Sequence, residues 1–197
     1  MQKVNNNGVA FSIQRATWVR QLMLALMLCV SVGFMTGCDE DDDGVNNNAN
    51  SQLDGVDRTF LEMSVQSNLF EIESSNLAKT KTTNPQVVAY ADSMIQMHTT
   101  AQNAIKALAE KRKFSIASEL NDKNKSIRDN LNSLSGANFD RAYINAQVTG
   151  HQATQADFQT EIDNGKDAEL KAFAVQNKPM IDQHLVSALR IKNANNF

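Results

Sequence analysis

From Val56 onward, apolar residues recur at alternating steps of three and four, the period that lays them along one face of an α-helix. The first stretch, about 56–81, sets Leu61, Ser64, Asn68, Glu71, Ser75 and Ala78 on one line. Asn84-Pro85 then opens a second helix, with Asn as cap and Pro at the first helical position, where its missing N–H costs nothing. Its stripe is Val87, Ala91, Met94, His98, Ala101, Ile105 and Leu108, and Lys111-Arg112-Lys113 suits its C-terminal end through the helix dipole. Residues 114–136 read as a long connection with a shorter helix around 117–134, closed by Ser135-Gly136. A third main helix, about 138–163, carries Ile144, Val148, His151, Gln155, Phe158 and Ile162, and Asn164-Gly165 stops it as a pair that tolerates the left-handed conformation. The fourth, about 167–194, carries Leu170, Ala174, Ile181, His184, Ala188 and Ile191. Pro179 inside it removes the bond to the carbonyl of Val175 and predicts a kink or a split. Two tight turns and one long connection predict an all-α fold, an antiparallel four-helix bundle with an extra short helix in the second connection, lying across one end.

The N-terminal region has a different pattern. A polar stretch with Lys3, Arg15 and Arg20 and no acid precedes the apolar run QLMLALMLCVSVGFM, Gln21 to Met35. That is the layout of a secretory signal, and the run falls short of the roughly 20 apolar residues a membrane-spanning helix needs. Met35-Thr36-Gly37-Cys38 resembles a lipobox, which implies that residues 1–37 are removed and that Cys38 is lipidated as the new first residue. The lipid makes a membrane the expected partner. Cys29 leaves with the signal, so no disulfide forms within one mature chain. Residues 38–55 are acidic and Asn-rich with little apolar content, a disordered tether ahead of a bundle domain at 56–197. The run Asp39-Glu40-Asp41-Asp42-Asp43 is similar to a surface-export signal, which predicts an outer-membrane lipoprotein displayed at the cell surface. An Asp directly after the cysteine is also similar to an inner-membrane retention signal, so a periplasm-facing inner-membrane lipoprotein is the alternative. With the signal's three bases removed from 19 Lys+Arg against 22 Asp+Glu, the mature chain carries −6 and no basic excess for nucleic acid.

The chain has three histidines, and each lies on the stripe of a different main helix. Counting from the turns puts His98 and His151 in one layer, with His184 about one helical turn away. On the first helix the counterparts are Asn68 and Glu71. Glu71, His98, His151 and His184 are therefore candidate ligands for a transition metal: zinc, iron, copper or manganese. The alternative is a hydrogen-bonded polar layer in the core with no ligand. Ile95, Val148 and Ile181 stand three residues before the histidines. The Glu-x-x-His pairs of di-iron bundles are thus absent, which argues against an oxygen-activating centre. No nucleophile motif, Gly-rich phosphate loop or HExxH is present, so the sequence gives no sign of an enzyme.

The segments NLFEIESSNLAKTKTTNPQVVAYADSMIQMHTTA, SGANFDRAYINAQVTGHQATQADF and LKAFAVQNKPMIDQHLVSA resemble the domain-of-unknown-function family 4142 over about 57–192. The resemblance implies a ferritin-like bundle, in a family whose members are often described as outer-membrane proteins. It carries over Glu71, His98, His151 and His184, with Phe139, Asp140 and Tyr143 as motif neighbours. This sequence departs from the pattern at one position. Met97 precedes His98 where the family usually has Asp. The family's role is unknown, so two classes stay open: a metal- or ligand-binding bundle, and a non-catalytic structural or interaction lipoprotein.

Overall fold

Side-chain caps set the starts of four of the five helices in the computed structural model, which describes residues 53–197. The expected signal, Cys38 and the acidic run lie outside those residues. Asp54 accepts from the backbone N–H groups of Val56 and Asp57 at 2.8 and 2.9 Å and opens α1, Gly55–Lys81. Asn84 accepts from Gln86 N–H at 3.0 Å and opens α2, Pro85–Lys111, with Pro85 in the first turn as expected. Asn121 caps α3, Asp122–Ser133, and Asp167 caps α5, Ala168–Asn195. Between them α4, Gly136–Asn164, starts after Ser135 without a side-chain cap.

α1 and α2 form one hairpin, α4 and α5 the other, and the hairpins pack with α1 against α4 and α2 against α5. Contacts along the α1/α4 seam fix its antiparallel sense: Phe60 packs edge-on against Phe158 at 5.0 Å, and Ser75 bonds Tyr143 at 2.8 Å. Two tight hairpin turns and one long crossover are the connectivity of ferritin-like bundles. The short helix departs from expectation, because α3 runs lengthwise beside α1 instead of across one end. Gln66 donates to the Glu119 carbonyl and accepts from Asn121 N–H, Arg128 pairs with Glu73 at 2.8 Å, and Lys81 donates to the Asn132 carbonyl at 2.8 Å. The physical reason is distance. α2 ends at the opposite end of the bundle from the start of α4, and α3 covers much of that span while burying Leu131 against the core.

Two other expectations change. α5 runs through Pro179 as one helix, so of the expected kink or split the split does not occur. Val175, whose carbonyl loses its partner, is exposed, so water can supply the missing hydrogen bond. Gly165 stops α4 in an extended conformation, φ −57° and ψ 150°, not the left-handed one. Glycine is needed there for space, since a Cβ would lie 2.4 Å from a carboxylate oxygen of Glu161.

The core is divided. One apolar cluster contains Met94, Tyr143, Ile144, Val148 and Leu185; the other contains Val65, Ala101, Phe158 and Ile181. On every main helix the change from one cluster to the other occurs around a polar residue: Asn68, His98, His151 and His184. Among the described residues there is no strand, and no helix is long and apolar enough to cross a membrane.

Candidate metal centre

The three histidines meet in the middle of the bundle. His98 comes from α2, His151 from α4 and His184 from α5, and they are 1, 2 and 5 % exposed. Ring centroids are separated by 5.7 Å (His98–His151), 5.3 Å (His98–His184) and 5.3 Å (His151–His184). One nitrogen from each ring can be chosen so that all three lie within 4.8 Å of one another. The expected one-turn offset of His184 is therefore absorbed, and the three rings share a layer.

The partners of the rings decide where their hydrogens sit. His98 Nδ1 lies 2.8 Å from Asn68 Oδ1, and His151 Nδ1 lies 2.9 Å from the carbonyl of Gln147, one turn earlier on α4. Both are acceptor positions, so both Nδ1 atoms carry the hydrogen and both Nε2 atoms carry lone pairs. His98 Nε2 is buried with no hydrogen-bond partner. His151 Nε2 points at His184 Nδ1 across 3.4 Å, while His184 Nε2 faces the Met97 sulfur at 3.2 Å.

Glu71 stands outside the triangle. Its Oε1 is 3.8 Å from His151 Nδ1, the side of that ring turned away from the other histidines, and its Oε2 has no partner. It also lines a cavity of about 410 Å³ between α1, α3 and α4, whose wall includes Phe70, Ile127 and Gly150. Asn68 stands behind His98. The structure thus joins three of the four candidate ligands directly and places Glu71 behind one of them.

The family model described as "Domain of unknown function (DUF4142)" matches residues 44–191. The chain belongs to this family. No curated protein and no solved structure matches it. The matched span contains all three histidines, Glu71 and Met97.

Burial governs the charge of this DUF4142 layer. It pushes the Glu71 carboxyl up to about 8, an effect partly offset by a hydrogen bond from the Gln147 amide. Burial and the neighbouring rings hold His98 well below its ordinary range, and His151 and His184 are each lowered to about 4. At neutral pH the layer holds three neutral imidazoles and a largely protonated carboxyl, so the His151–Glu71 approach is not an ion pair. Burial also raises Tyr90 and Tyr143, which stay neutral beneath the layer. Tyr90 Oη donates to Gln147 Oε1 at 3.2 Å.

Gln147 is the residue that sequence reasoning missed. It is wholly buried, supplies the carbonyl that orients His151, and joins Tyr90 and Ser74 through its side chain. Its place four residues before His151 on the inner stripe was the available signal. Phe139, Asp140 and Tyr143 are buried about two to three turns before His151 on α4, where Phe139 stacks on Tyr143 at 5.7 Å.

Proposed function

We propose that this protein is a lipid-anchored envelope protein whose bundle binds a transition-metal ion between His98, His151 and His184. The observation that carries the metal reading is the mismatch of hydrogens and lone pairs inside the triangle. His98 Nε2 and His151 Nε2 both present lone pairs, and His184 has one N–H to share between two neighbours. Two nitrogens bound to one tetrahedral ion, at about 2.0–2.1 Å each, lie about 3.4 Å apart. The 3.4 Å between His151 Nε2 and His184 Nδ1 matches that edge. The acceptors behind His98 and His151 are the outer partners that metal-bound imidazoles usually have. Glu71 fits as an outer group, near enough to compensate charge through His151 without entering the donor set. The donor set holds three imidazoles and no nucleophilic side chain, so the reading is binding.

The anchor rests on the lipobox-like Met35-Thr36-Gly37-Cys38, and the surface address on the five acids behind it. On this reading the lipid at Cys38 holds the protein in the outer membrane, facing outward.

The second reading is a polar layer that fixes helix register, favoured by the hydrogen bonds already made at His98 Nδ1 and His151 Nδ1. Thermal melting of chelator-treated protein without a histidine tag separates the two. With zinc, copper, iron or manganese at about a hundred times its dissociation constant, metal binding should stabilise by about 2.7 kcal/mol. Single His→Ala changes should abolish that increment. If no metal shifts the wild-type melting temperature, and each change costs roughly 1–3 kcal/mol in chelator, the layer is structural.

A further inference from the structure

A neutral imidazole carries a single N–H, and His184 faces two acceptors. His151 Nε2 lies 3.4 Å from its Nδ1, and Met97 Sδ lies 3.2 Å from its Nε2. His151 Nε2 brings no hydrogen, because the His151 hydrogen is spent on the Gln147 carbonyl, and a thioether has none to give. One hydrogen therefore serves two gaps. When it sits on Nε2, the inner gap toward His151 holds two facing lone pairs. When it sits on Nδ1, the outer gap holds the lone pair of Nε2 opposite the lone pairs of sulfur.

The outer gap has the character of a site. Met97 is half-buried at the edge of the layer, and its sulfur also accepts from Ser93 Oγ at 3.5 Å, which helps hold the side chain against His184. A nitrogen at about 2.0 Å and a sulfur at about 2.3 Å from one tetrahedral ion lie about 3.5 Å apart, close to the spacing observed. His98, next to Met97 in the chain, keeps its ring 5.3 Å from that of His184, so the subsite adjoins the three-histidine layer. Among the described residues the convergent donor cluster includes no carboxylate, the ligand that manganese and magnesium favour.

We propose that His184 Nε2 and Met97 Sδ form a soft subsite on the outer side of the histidine layer, one that takes monovalent copper. Thioether sulfur selects this ion over harder divalent ones, and a single positive charge is less costly than two in a buried site without an anionic ligand. The proposal rests on the metal reading above, since His184 is common to both.

The test uses the full chain in detergent under anaerobic conditions. Copper(I) affinity is read by competition with a chromophoric chelator, zinc(II) affinity by a second chelator, and sulfur ligation by X-ray absorption of the copper-loaded protein. Met97→Leu keeps the volume at a half-buried position and should stay folded, as circular dichroism checks. It should weaken copper(I) binding by about tenfold or more, leave zinc(II) within about twofold, and remove the sulfur signal. Equal losses for both metals would make Met97 only a hydrogen-bond acceptor that positions His184, and would overturn the proposal. Unchanged copper(I) affinity, or a wild-type copper spectrum without sulfur, would overturn it as well. Each of those results leaves the three-histidine reading standing. That reading fails separately, if His98→Ala and His151→Ala leave both affinities unchanged. A wild-type chain that binds neither metal overturns the subsite, and if iron and manganese also leave its melting temperature unchanged, the three-histidine reading falls with it.

Discussion

Replacing Glu71 by Gln should change how stability depends on pH in a way that isolates one buried proton. Glu71 is almost completely buried, and its carboxyl is pushed up to about 8, whereas the unfolded chain releases that proton near 4.5. The folded state therefore binds more protons between those values, and stability must fall as pH rises through the interval. Each pH unit there costs about 1.4 kcal/mol, so the wild type should lose on the order of 2–3 kcal/mol between about pH 6 and about pH 9. The histidines act with the opposite sign at lower pH. With His151 and His184 lowered to about 4 from 6.5, the unfolded chain takes up protons first as pH falls, and stability declines below about 6.5. Glu161, raised to about 7 by burial and by Asp57, adds to the alkaline limb. Chelator-treated wild type should thus be most stable near pH 6–7. Glu71→Gln retains a hydrogen-bonding side chain beside Gln147 and removes the titration, so its alkaline limb should flatten by the Glu71 share. Urea unfolding across the pH range measures both curves. Equal slopes above about pH 6.5 in the two proteins would refute the account of Glu71 as a buried acid.

The remaining predictions address the anchor, the address and two glycines. Cys38→Ser should abolish labelling by a fatty-acid probe and release the protein from membranes; unchanged partitioning would make the apolar run itself the anchor. Replacing 39–43 by Ser and Asn should leave lipid labelling intact but remove protease accessibility on whole cells, and equal accessibility would reduce the acids to a spacer. Gly165→Ala should destabilise by roughly 1–3 kcal/mol, because its Cβ meets both the Glu161 carboxylate and the Glu161 carbonyl at 2.4–2.7 Å. Gly150→Ala meets only Glu71 Oε1 at 3.6 Å, so its higher helix propensity should stabilise by about 0.5–1 kcal/mol in the same urea assay.

What the sequence carried well was whatever depends on local periodicity. The stripes placed His98, His151 and His184 inward on three helices, and Asn84-Pro85 marked a helix start, because one residue's surroundings are fixed by neighbours three and four away. Quantities set by tertiary packing were less legible. The lengthwise course of α3 follows from the distance between the ends of α2 and α4, which no local pattern encodes. Pro179 left a kink and a split both open, because the cost of a lost hydrogen bond depends on solvent access, and only the fold exposes Val175. Glu71 was grouped with the histidines because it shares their inner stripe. Its position behind His151 depends on a relative rotation of α1 and α4 that stripe-counting leaves open. Met97 was read as the loss of an aspartate, and its sulfur could be seen as a partner of His184 only once α2 and α5 were side by side.

The distribution of unsatisfied atoms bears on why a polar layer interrupts this core at all. Burying polar groups between two apolar clusters is costly unless each is paired, at roughly 1–3 kcal/mol for each one left over. A layer that served only to fix helix register would gain most from closing every hydrogen bond within itself. On the outer side of His98 and His151 this has happened, through the oxygens of Asn68 and Gln147. On the inner side it has not: His98 Nε2 lacks a partner, and one N–H of His184 is contested by His151 and Met97. Among the three rings the imbalance is of one kind, too many lone pairs for the hydrogens available, and it is concentrated where they converge. A cation corrects an excess of lone pairs, as a buried water donating its hydrogens would, whereas another hydrogen-bond acceptor would not. Protonating one imidazole would also correct it, but burial opposes that above about pH 4. The strength of the metal reading therefore lies less in the presence of three histidines than in the direction of their unmet demand.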